Sequence, residues 1–296
     1  MACTITFNSD STGSFYAGDI VTGTVILELK NDQKYQSIDL KVKGICKAQW
    51  TRPMPTIPYI KNYSEKQNLL SITMHDIFRE FYVDGALPAG IHQYPFYFSL
   101  PADLPSTFES SIAKVNYTVT IKSKPAYKLR KVASFTVLGN INLNHDEKCL
   151  EPSFSEFHKK FRNSGKFTLC VKTYKAFAPK QVIPFEITIV NEKKVKIRKI
   201  NVILMQKIRY EVESGYAEEE KEMGRTDYKK FSLNIAELCF FNMEIPQVIP
   251  SSLNVVDPMV DISYAFRIQV IFPFHFTLQE DIPVTVTTAP VIHYEF

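Results

Sequence analysis

The sequence predicts an all-β protein built from two β-sandwich domains in tandem. Three observations support this fold class: aromatic residues are abundant, apolar and polar residues alternate along most apolar segments, and these segments recur in the same order in both halves. Aromatic residues favour pleated, half-buried sheets, so the 22 Phe and 15 Tyr are typical of strands. A length of 296 residues leaves room for two cores.

The alternation has the period of a half-buried antiparallel strand. In SIDLKVKG (Ser37 to Gly44), Ile38, Leu40 and Val42 point to one face, and the polar residues between them point to the other. The same pattern is found at Tyr117, Val119 and Ile121 in the first half and at Phe185, Ile187 and Ile189 in the second. No segment sustains a helical period of 3.6 residues.

The two halves repeat one order of segments. YAGDIVTGTVILEL (Tyr16 to Leu29) resembles FAPKQVIPFEITIVN (Phe177 to Asn191), with Gly18 aligned to Lys180. Further on, LPADLPS (Leu100 to Ser106) matches IPQVIPS (Ile245 to Ser251), and each precedes a strand with a central Tyr. The two copies of the proline segment are closer together along the chain than the two copies of the first segment. This difference predicts extra residues in the first copy, which we place in a long loop from Thr51 to Leu70.

This repeat divides the chain into three parts. We predict a first sandwich over residues 1–139, a hinge linker over 140–165 and a second sandwich over 166–296. The linker is polar with scattered aromatic residues, and we expect a short helical turn from Ser155 to Phe161 within it.

Charge and cysteine content limit the class of protein. A net charge of +4 is too small for the dominant basic field of a nucleic-acid-binding protein, so no nucleic-acid partner is expected. The five cysteines are scattered and lack CxxC spacing, which indicates a reducing compartment. No secretory signal and no apolar run of spanning length is visible, and we therefore expect a cytoplasmic protein.

Signatures of catalysis and of cofactor binding are missing from the sequence. It contains no Gly-rich phosphate loop, no GxSxG and no HExxH, so we predict neither an enzyme nor a cofactor. His145, Cys149 and His158 match no zinc-ligand spacing, and no metal site is predicted. The acidic run Glu218 to Glu222 is expected to be a solvated loop.

Two basic clusters are the candidate binding residues. The first lies in a hairpin-like stretch from Lys114 to Lys131 that contains no Asp or Glu, and the second brackets a turn between two strands of the second domain. Either cluster could contact phosphates or anionic lipid, or could simply keep strand faces and edges soluble. The candidate residues are Lys122, Lys124, Lys128, Arg130 and Lys131 in the first cluster, and Lys193, Lys194, Lys196, Arg198 and Lys199 in the second.

With LPAGIHQYPFYFSLPADLPSTF (Leu87 to Phe108) beside the two repeated segments, the chain resembles the α-arrestin family of arrestin-domain proteins. The resemblance covers nearly the whole chain. It implies the arrestin fold, which consists of two immunoglobulin-like β-sandwiches joined by a hinge. It also implies an adaptor that binds cytoplasmic segments of membrane proteins, some of them phosphorylated, and regulates their trafficking, endocytosis or signalling at the plasma membrane or endosomes.

The resemblance is incomplete in one functional respect. α-Arrestins usually carry PPxY motifs that recruit WW-domain ubiquitin ligases, whereas this sequence has no Pro-Pro pair, which argues against a ligase partner bound in that way. An alternative reading is a structural subunit of a coat or sorting complex with an arrestin-like fold.

Overall fold

The computed structural model describes residues 1–8, 13–53, 60–125, 128–161, 165–231 and 234–295. Strands dominate these residues, and the all-β fold class with two tandem sandwich domains is confirmed. The chain divides into two compact units. One comprises Met1–Gly139, Tyr210–Tyr216 and Asn254–Val260, and the other comprises Asn140–Arg209, Ala217–Leu253 and Asp261–Phe296.

The first half of the chain forms a three-stranded sheet and a six-stranded sheet. The order of the smaller sheet is β1-β3-β6, and that of the larger is β2-β9-β8-β4-β5, with β7 also paired to β8. A 3₁₀ turn at Arg79–Phe81 precedes β6. The strands are β1 Ala2–Phe7, β2 Ser14–Tyr16, β3 Ile20–Leu29, β4 Ser37–Pro53, β5 Ile60–Met74, β6 Gly90–Ser99, β7 Phe108–Glu109, β8 Ala113–Lys124 and β9 Arg130–Leu138.

The second half forms a four-stranded sheet and a five-stranded sheet. Their orders are β10-β11-β13-β16 and β12-β18-β17-β14-β15. A short helix, α1 (Glu147–Leu150), precedes them and is capped by the Asp146 carboxylate, which accepts a hydrogen bond from the backbone N–H of Lys148. The strands are β10 Ser153–Phe161, β11 Gly165–Thr173, β12 Ala176–Phe177, β13 Val182–Asn191, β14 Lys199–Val212, β15 Gly215–Tyr228, β16 Ala236–Glu244, β17 Val260–Ile271 and β18 Leu278–Val286.

The repeat seen in the sequence is a repeat of topology. The order β2-β9-β8-β4-β5 corresponds strand for strand to β12-β18-β17-β14-β15, and β2 and β12 each pair in parallel with the last strand of their half. β3 and β13 each have ten residues, and β8 and β17 each have twelve. The predicted duplication is therefore confirmed.

Aromatic rings fill the core of the first unit where its two sheets face each other. The Phe135 ring of β9 lies 5.5 Å from Phe7 of β1 and 5.9 Å from Phe98 of β6. Gly23 of β3 makes room for this packing, because an added Cβ would clash with the carbonyl oxygen of Thr6 and lie 2.5 Å from the Phe96 ring. Glycine is thus required there by close approach.

Three expectations about local structure are wrong. Ser155–Phe161 is not a helical turn but part of β10, which pairs in antiparallel register with β11, so this part of residues 140–165 belongs to a sheet. The expected loop from Thr51 to Leu70 is a hairpin of β4 and β5, apart from residues 54–59, which lie outside the described residues. The acidic run lies on β15, where Glu218 pairs with Arg209 of β14 and Glu220 pairs with Arg267 of β17. The predicted domain boundaries stay predictions.

Candidate partner-binding surface

The exposed face of the six-stranded sheet carries a set of cationic side chains, which we call the basic face. Because alternate residues of a strand point to opposite sides, the polar positions of β4, β5, β8 and β9 share this face while their apolar neighbours are buried. Its members are Lys41, Lys43 and Lys47 of β4, Lys66 of β5, Lys114 and Lys122 of β8, and Arg130 of β9.

The strand register places like charges directly opposite each other. Lys47 lies between Lys66 on β5 and Lys114 on β8, and Lys122 lies opposite Arg130. Neighbouring strands are about 4.8 Å apart, and like charges at that spacing destabilise a sheet. An anionic ligand that neutralises these rows would therefore bind with an electrostatic gain.

Hydroxyl groups separate the two cationic rows. Lys43 of β4 is flanked by Ser71 on β5 and Thr118 on β8, and Lys41 is flanked by Thr73 and Thr120. A hydroxyl can donate or accept a hydrogen bond, so these rows add directional contacts to the charge of the lysines.

Few carboxylates neutralise the basic face. Glu109 accepts a hydrogen bond of 2.8 Å from Lys114 Nζ. Asp39 lies opposite Lys122 but is buried, and its Oδ1 accepts a hydrogen bond from the backbone N–H of Asp76. In the part of the chain that the structure describes, Lys43 and Lys122 form no ion pair. The cationic potential of the face is thus largely open to a partner.

The structure separates the first predicted cluster into two groups. Lys122 and Arg130 are exposed on the basic face, and Lys124 follows at the end of β8. Lys128 instead donates a hydrogen bond of 3.0 Å to the carbonyl oxygen of Lys34, with its Nζ 5.8 Å from the Tyr35 ring. Lys131 is also turned away, because it lies opposite the buried Ile121.

Sequence reasoning missed four members of the basic face. Lys41, Lys43, Lys47 and Lys66 lie far from the first cluster along the chain, and only the pairing of β4 with β5 and β8 brings them together. The alternation along β4 was the available signal, since it placed Lys41 and Lys43 on the polar side of a strand.

The second predicted cluster lies on the turn between β13 and β14. The side chain of Asn191 closes this turn, because its Oδ1 accepts a hydrogen bond from Val195 N–H and its Nδ2 donates to the Val195 carbonyl. Lys194 has a positive φ of 51°. Lys193, Lys194, Lys196 and Arg198 are exposed, whereas Lys199 is half-buried at the start of β14.

Among the described residues, the remaining side chains that could act as nucleophiles or metal ligands do not form a cluster. All five cysteines are free, and burial raises the pKa of Cys46 and Cys239 to about 11, which makes them poor nucleophiles at neutral pH. Across the described ranges, no three His, Cys, Asp or Glu side chains are arranged to hold a metal ion. Within the same residues, no helix has the length and apolar character needed to cross a bilayer.

Comparison with known proteins matches each half of the chain to a family of arrestin domains. Residues 3–144 match the family described as "Arrestin (or S-antigen), N-terminal domain", and residues 163–291 match "Arrestin (or S-antigen), C-terminal domain". The chain is 24% identical to arrestin domain-containing protein 5 of Bos taurus over 94% of its own length and 88% of that protein.

Two further relatives are matched over shorter stretches. The chain is 33% identical to arrestin domain-containing protein 17 of Caenorhabditis elegans over 47% of its length, and 28% identical to arrestin domain-containing protein 1 of Mus musculus over 65%. It spans 35% and 44% of these two relatives, respectively. Together the comparisons indicate a family of arrestin-like adaptors. Since both halves match in the order seen in the fold, the chain belongs to the arrestin-domain-containing proteins of the α-arrestin family.

Proposed function

We propose that this protein is a non-catalytic arrestin-like adaptor that binds acidic or phosphorylated cytoplasmic segments of membrane proteins and regulates their trafficking, endocytosis or signalling. The basic face is the observation that supports this proposal best, because its like-charged rows favour an anionic partner. Membership of an adaptor family supports it independently.

An extended peptide suits the geometry of the basic face. Cationic side chains recur along β4 at Lys41, Lys43 and Lys47, and two residues of a strand span about 6.6 Å. Acidic or phosphorylated residues at alternate positions of an extended peptide have the same repeat. Each phosphate could then accept charge-assisted hydrogen bonds from a lysine and its neighbouring hydroxyl.

The proposal includes a cellular location, and it does not include a ubiquitin ligase bound through a PPxY motif. We place the protein in the cytoplasm, with recruitment to the plasma membrane or endosomes when its cargo is engaged. A ubiquitin ligase is not a proposed direct partner through PPxY, because this sequence has no Pro-Pro pair.

A peptide titration tests the role of the basic face. A singly and a doubly phosphorylated peptide are titrated against the protein by fluorescence anisotropy at several salt concentrations. We expect the variant K43Q/K122Q/R130Q to bind at least tenfold more weakly than wild type and with a shallower salt dependence, because exposed charges act through screened attraction. The matched control is K128Q/K131Q, which removes two cations of the same stretch that lie off this face.

Two outcomes would contradict the proposal. One is equal loss of affinity in the control and the basic-face variant, which would indicate unspecific attraction to net charge. The other comes from proximity labelling in cells: if the wild-type protein enriches neither transmembrane proteins nor endocytic factors, the adaptor role is wrong. A stoichiometric complex with soluble proteins alone on size exclusion would instead identify a coat or sorting-complex subunit.

A further inference from the structure

The strand β16 (Ala236–Glu244) forms one edge of the four-stranded sheet of the second unit. It pairs with β13 in an antiparallel register that runs without irregularity from Ala236, opposite Val190, to Glu244, opposite Val182. In the described part of the chain, no strand pairs with its other side. The edge is therefore nine residues of regular, open strand.

The backbone hydrogen bonds at the two ends of this register show which groups of β16 face outward. Asn191 N–H donates to the carbonyl oxygen of Ile235 at 2.7 Å, and Ile245 N–H donates to that of Gln181 at 2.9 Å. In an antiparallel pair, every second residue bonds to the neighbouring strand, and the residues between them point their N–H and C=O groups the other way. The residues whose backbone groups point away from β13, with no hydrogen-bond partner among the described residues, are Leu238, Phe240 and Asn242.

The usual protection of an edge strand is missing from β16. Natural proteins protect exposed edges with lysine, proline or a β-bulge, because open backbone groups otherwise pair with another chain. The opposite edge of the same sheet, β10, carries Lys159 and Lys160, whereas β16 contains no cationic residue, no proline and no bulge. It presents Leu238 and Phe240 instead, which are 50% and 61% exposed on one face. This edge is therefore suited to accept a further strand.

The side of the unit next to this edge is acidic. The strand β15 lies beside β16, with the Tyr228 ring 6.2 Å from the Phe241 ring. From Ala217 to Glu244 the chain has seven carboxylates against four cationic side chains, although its overall net charge is +4. The carboxylates that pair with cations are Glu218, Glu220, Glu222 and Asp227. Glu244 is exposed and forms no ion pair among the described residues, so this side favours a cationic ligand.

We propose that β16 binds an extended segment of a partner protein as an added strand, and that apolar residues alternate with lysine or arginine in this segment. The backbone groups of Leu238, Phe240 and Asn242 supply the hydrogen bonds of strand addition. Because side chains of a strand point alternately to its two faces, the apolar residues of the added strand lie beside Leu238 and Phe240. The basic residues between them lie on the face turned towards β15 and its carboxylates.

A second copy of the chain is a less suitable occupant. Pairing of β16 with β16 of another molecule places two acidic edges side by side, and β16 has no cationic residue to compensate. A basic segment has the opposite charge and satisfies the same backbone groups. The chemistry of the partner is therefore that of a basic, amphipathic strand.

The β16 edge goes beyond the proposed cargo-binding function and selects the opposite charge. The basic face lies on the six-stranded sheet and favours anionic ligands, whereas the β16 edge lies on the four-stranded sheet and favours cationic segments. A phosphorylated peptide and a basic peptide therefore report the two sites separately, and either proposal can fail alone.

Peptide binding tests the proposal. The probe is a fluorescent peptide of nine residues, the length of β16, in which valine and lysine alternate and both ends are blocked. The control peptide has the same composition but groups its lysines together, which removes the alternation and keeps the charge. We expect the alternating peptide to bind at least about tenfold more tightly by fluorescence anisotropy. Equal binding of the two peptides, or no binding of the alternating one, overturns the proposal.

Three variants locate the binding site. F240K replaces an exposed apolar contact of the edge with a cation, and N242P removes an outward N–H that makes no bond to β13. Each should weaken binding by at least about tenfold. The matched control F154K makes the same change at the opposite edge of this sheet and should keep wild-type affinity, so equal losses in F154K and F240K contradict the proposal. Thermal unfolding checks that each variant is folded, and F240K alone decides the test if N242P is not.

Amide exchange distinguishes an added strand from attraction between charges. The N–H groups of Leu238, Phe240 and Asn242 should exchange fast in the free protein, because they face away from β13, and slowly with the alternating peptide bound. The amide of Cys239, which faces β13, should be protected in both states. Bound peptide without protection of the three outward amides overturns the proposal. So does protection of these amides in the free protein that rises with protein concentration, since a second copy would then occupy the edge.

Discussion

Tyr117 and Tyr264 make similar hydrogen bonds in the two halves of the chain, to acceptors one position apart in the matched proline segments. Each is the fifth residue of its strand, β8 or β17, and each hydroxyl donates at 2.6 Å to a carbonyl oxygen of the repeated proline segment, that of Pro105 or Ile249. Burial raises the pKa of both phenols, so both remain donors at neutral pH. The shared hydrogen bond explains why the Tyr-centred strand and the proline segment recur together.

The two tyrosines should differ in their contribution to stability. Tyr264 also accepts a hydrogen bond from the amide of Gln206, which is buried, whereas Tyr117 has only the carbonyl partner among the described residues. We expect Y117F to lower the free energy of unfolding by about 1–2 kcal/mol and Y264F by about 1 kcal/mol more, because an unpaired buried amide is costly. Urea unfolding measures both. Y97F, at a 74% exposed position, should change little, and equal values for the two core variants would contradict the argument.

Gly23 should not tolerate a methyl group. The added Cβ of G23A meets the backbone of β1 and the Phe96 ring at distances below 3 Å, so β1 or the ring must shift. We expect a loss of about 1–3 kcal/mol, typical of overpacking, and faster amide exchange along β1. G139A is the control, since its nearest neighbour, Ser106 Oγ, lies 3.4 Å away. A wild-type exchange rate for β1 in G23A would show that the contact is relieved elsewhere.

An ion-pair network on the five-stranded sheet should make the second unit sensitive to acid. Arg267 donates two hydrogen bonds to the Asp281 carboxylate at 2.8 and 2.9 Å, and Lys207 donates a third at 2.7 Å. These donors, chiefly Arg267, lower the pKa of Asp281 to about 2. A lowered carboxyl pKa stabilises the fold above its ordinary pKa near 3.8, and that stability is lost as the pH falls towards 2.

The variant D281N tests this network. We expect it to lower stability at pH 7 by about 1–3 kcal/mol and to flatten the decline between pH 4 and pH 2, as followed by circular dichroism. E222Q, which breaks the exposed pair with Arg225, should cost about 0.5 kcal/mol or less. An acid decline in D281N as steep as in wild type would show that other carboxylates control it.

The C-terminal segment should loosen at mildly acidic pH. The His293 ring stacks on Tyr174 at 3.8 Å, its Nε2 lies 2.7 Å from the Ala176 carbonyl oxygen, and Tyr294 N–H donates to the Leu150 carbonyl. Burial lowers the pKa of His293 below its usual 6.5, which favours the neutral ring in the folded state. Stability from this segment is therefore full above pH 6.5 and declines as the pH falls further.

Hydrogen exchange of the Tyr294 amide measures this loosening. We expect protection to fall between pH 7 and pH 5 beyond the intrinsic change in exchange rate. The variant H293F keeps an aromatic stack on Tyr174 but cannot titrate, so its protection should lose this pH dependence. The same dependence in H293F would show that His293 is not the group responsible.

Alternation and repetition made most of the fold predictable, and ambiguous spacing explains the main error. The strands around Ile38, Tyr117 and Ile187 have clean alternation because one face of each is buried. In β10, by contrast, Phe154, Phe157 and Phe161 are three and four residues apart, a helical spacing, and Phe154 is 75% exposed on an edge strand. An edge strand has only one neighbour to impose a pattern on it.

The candidate surfaces were less predictable because they depend on register and exposure. The basic face joins Lys47, Lys66 and Lys114, which lie on three different strands. The sequence of one strand does not determine which residues of the neighbouring strands lie opposite it. The segment IFPFHFTL around Phe274 reads as apolar and gives no sign that two rings are exposed. Only the structure shows that Phe274 and Phe276 point outward, each with 92% of its surface exposed.

The parallel pairing of β2 with β9 and of β12 with β18 has a consequence for synthesis on the ribosome. Ser14–Tyr16 pairs with Thr136–Leu138, so the six-stranded sheet cannot be completed until Leu138 has been synthesised. Ala176–Phe177 waits in the same way for Thr285 and Val286. Each half must therefore remain unclosed until its last strand emerges, and nascent chains stalled before Leu138 should be substrates for chaperones and proteases.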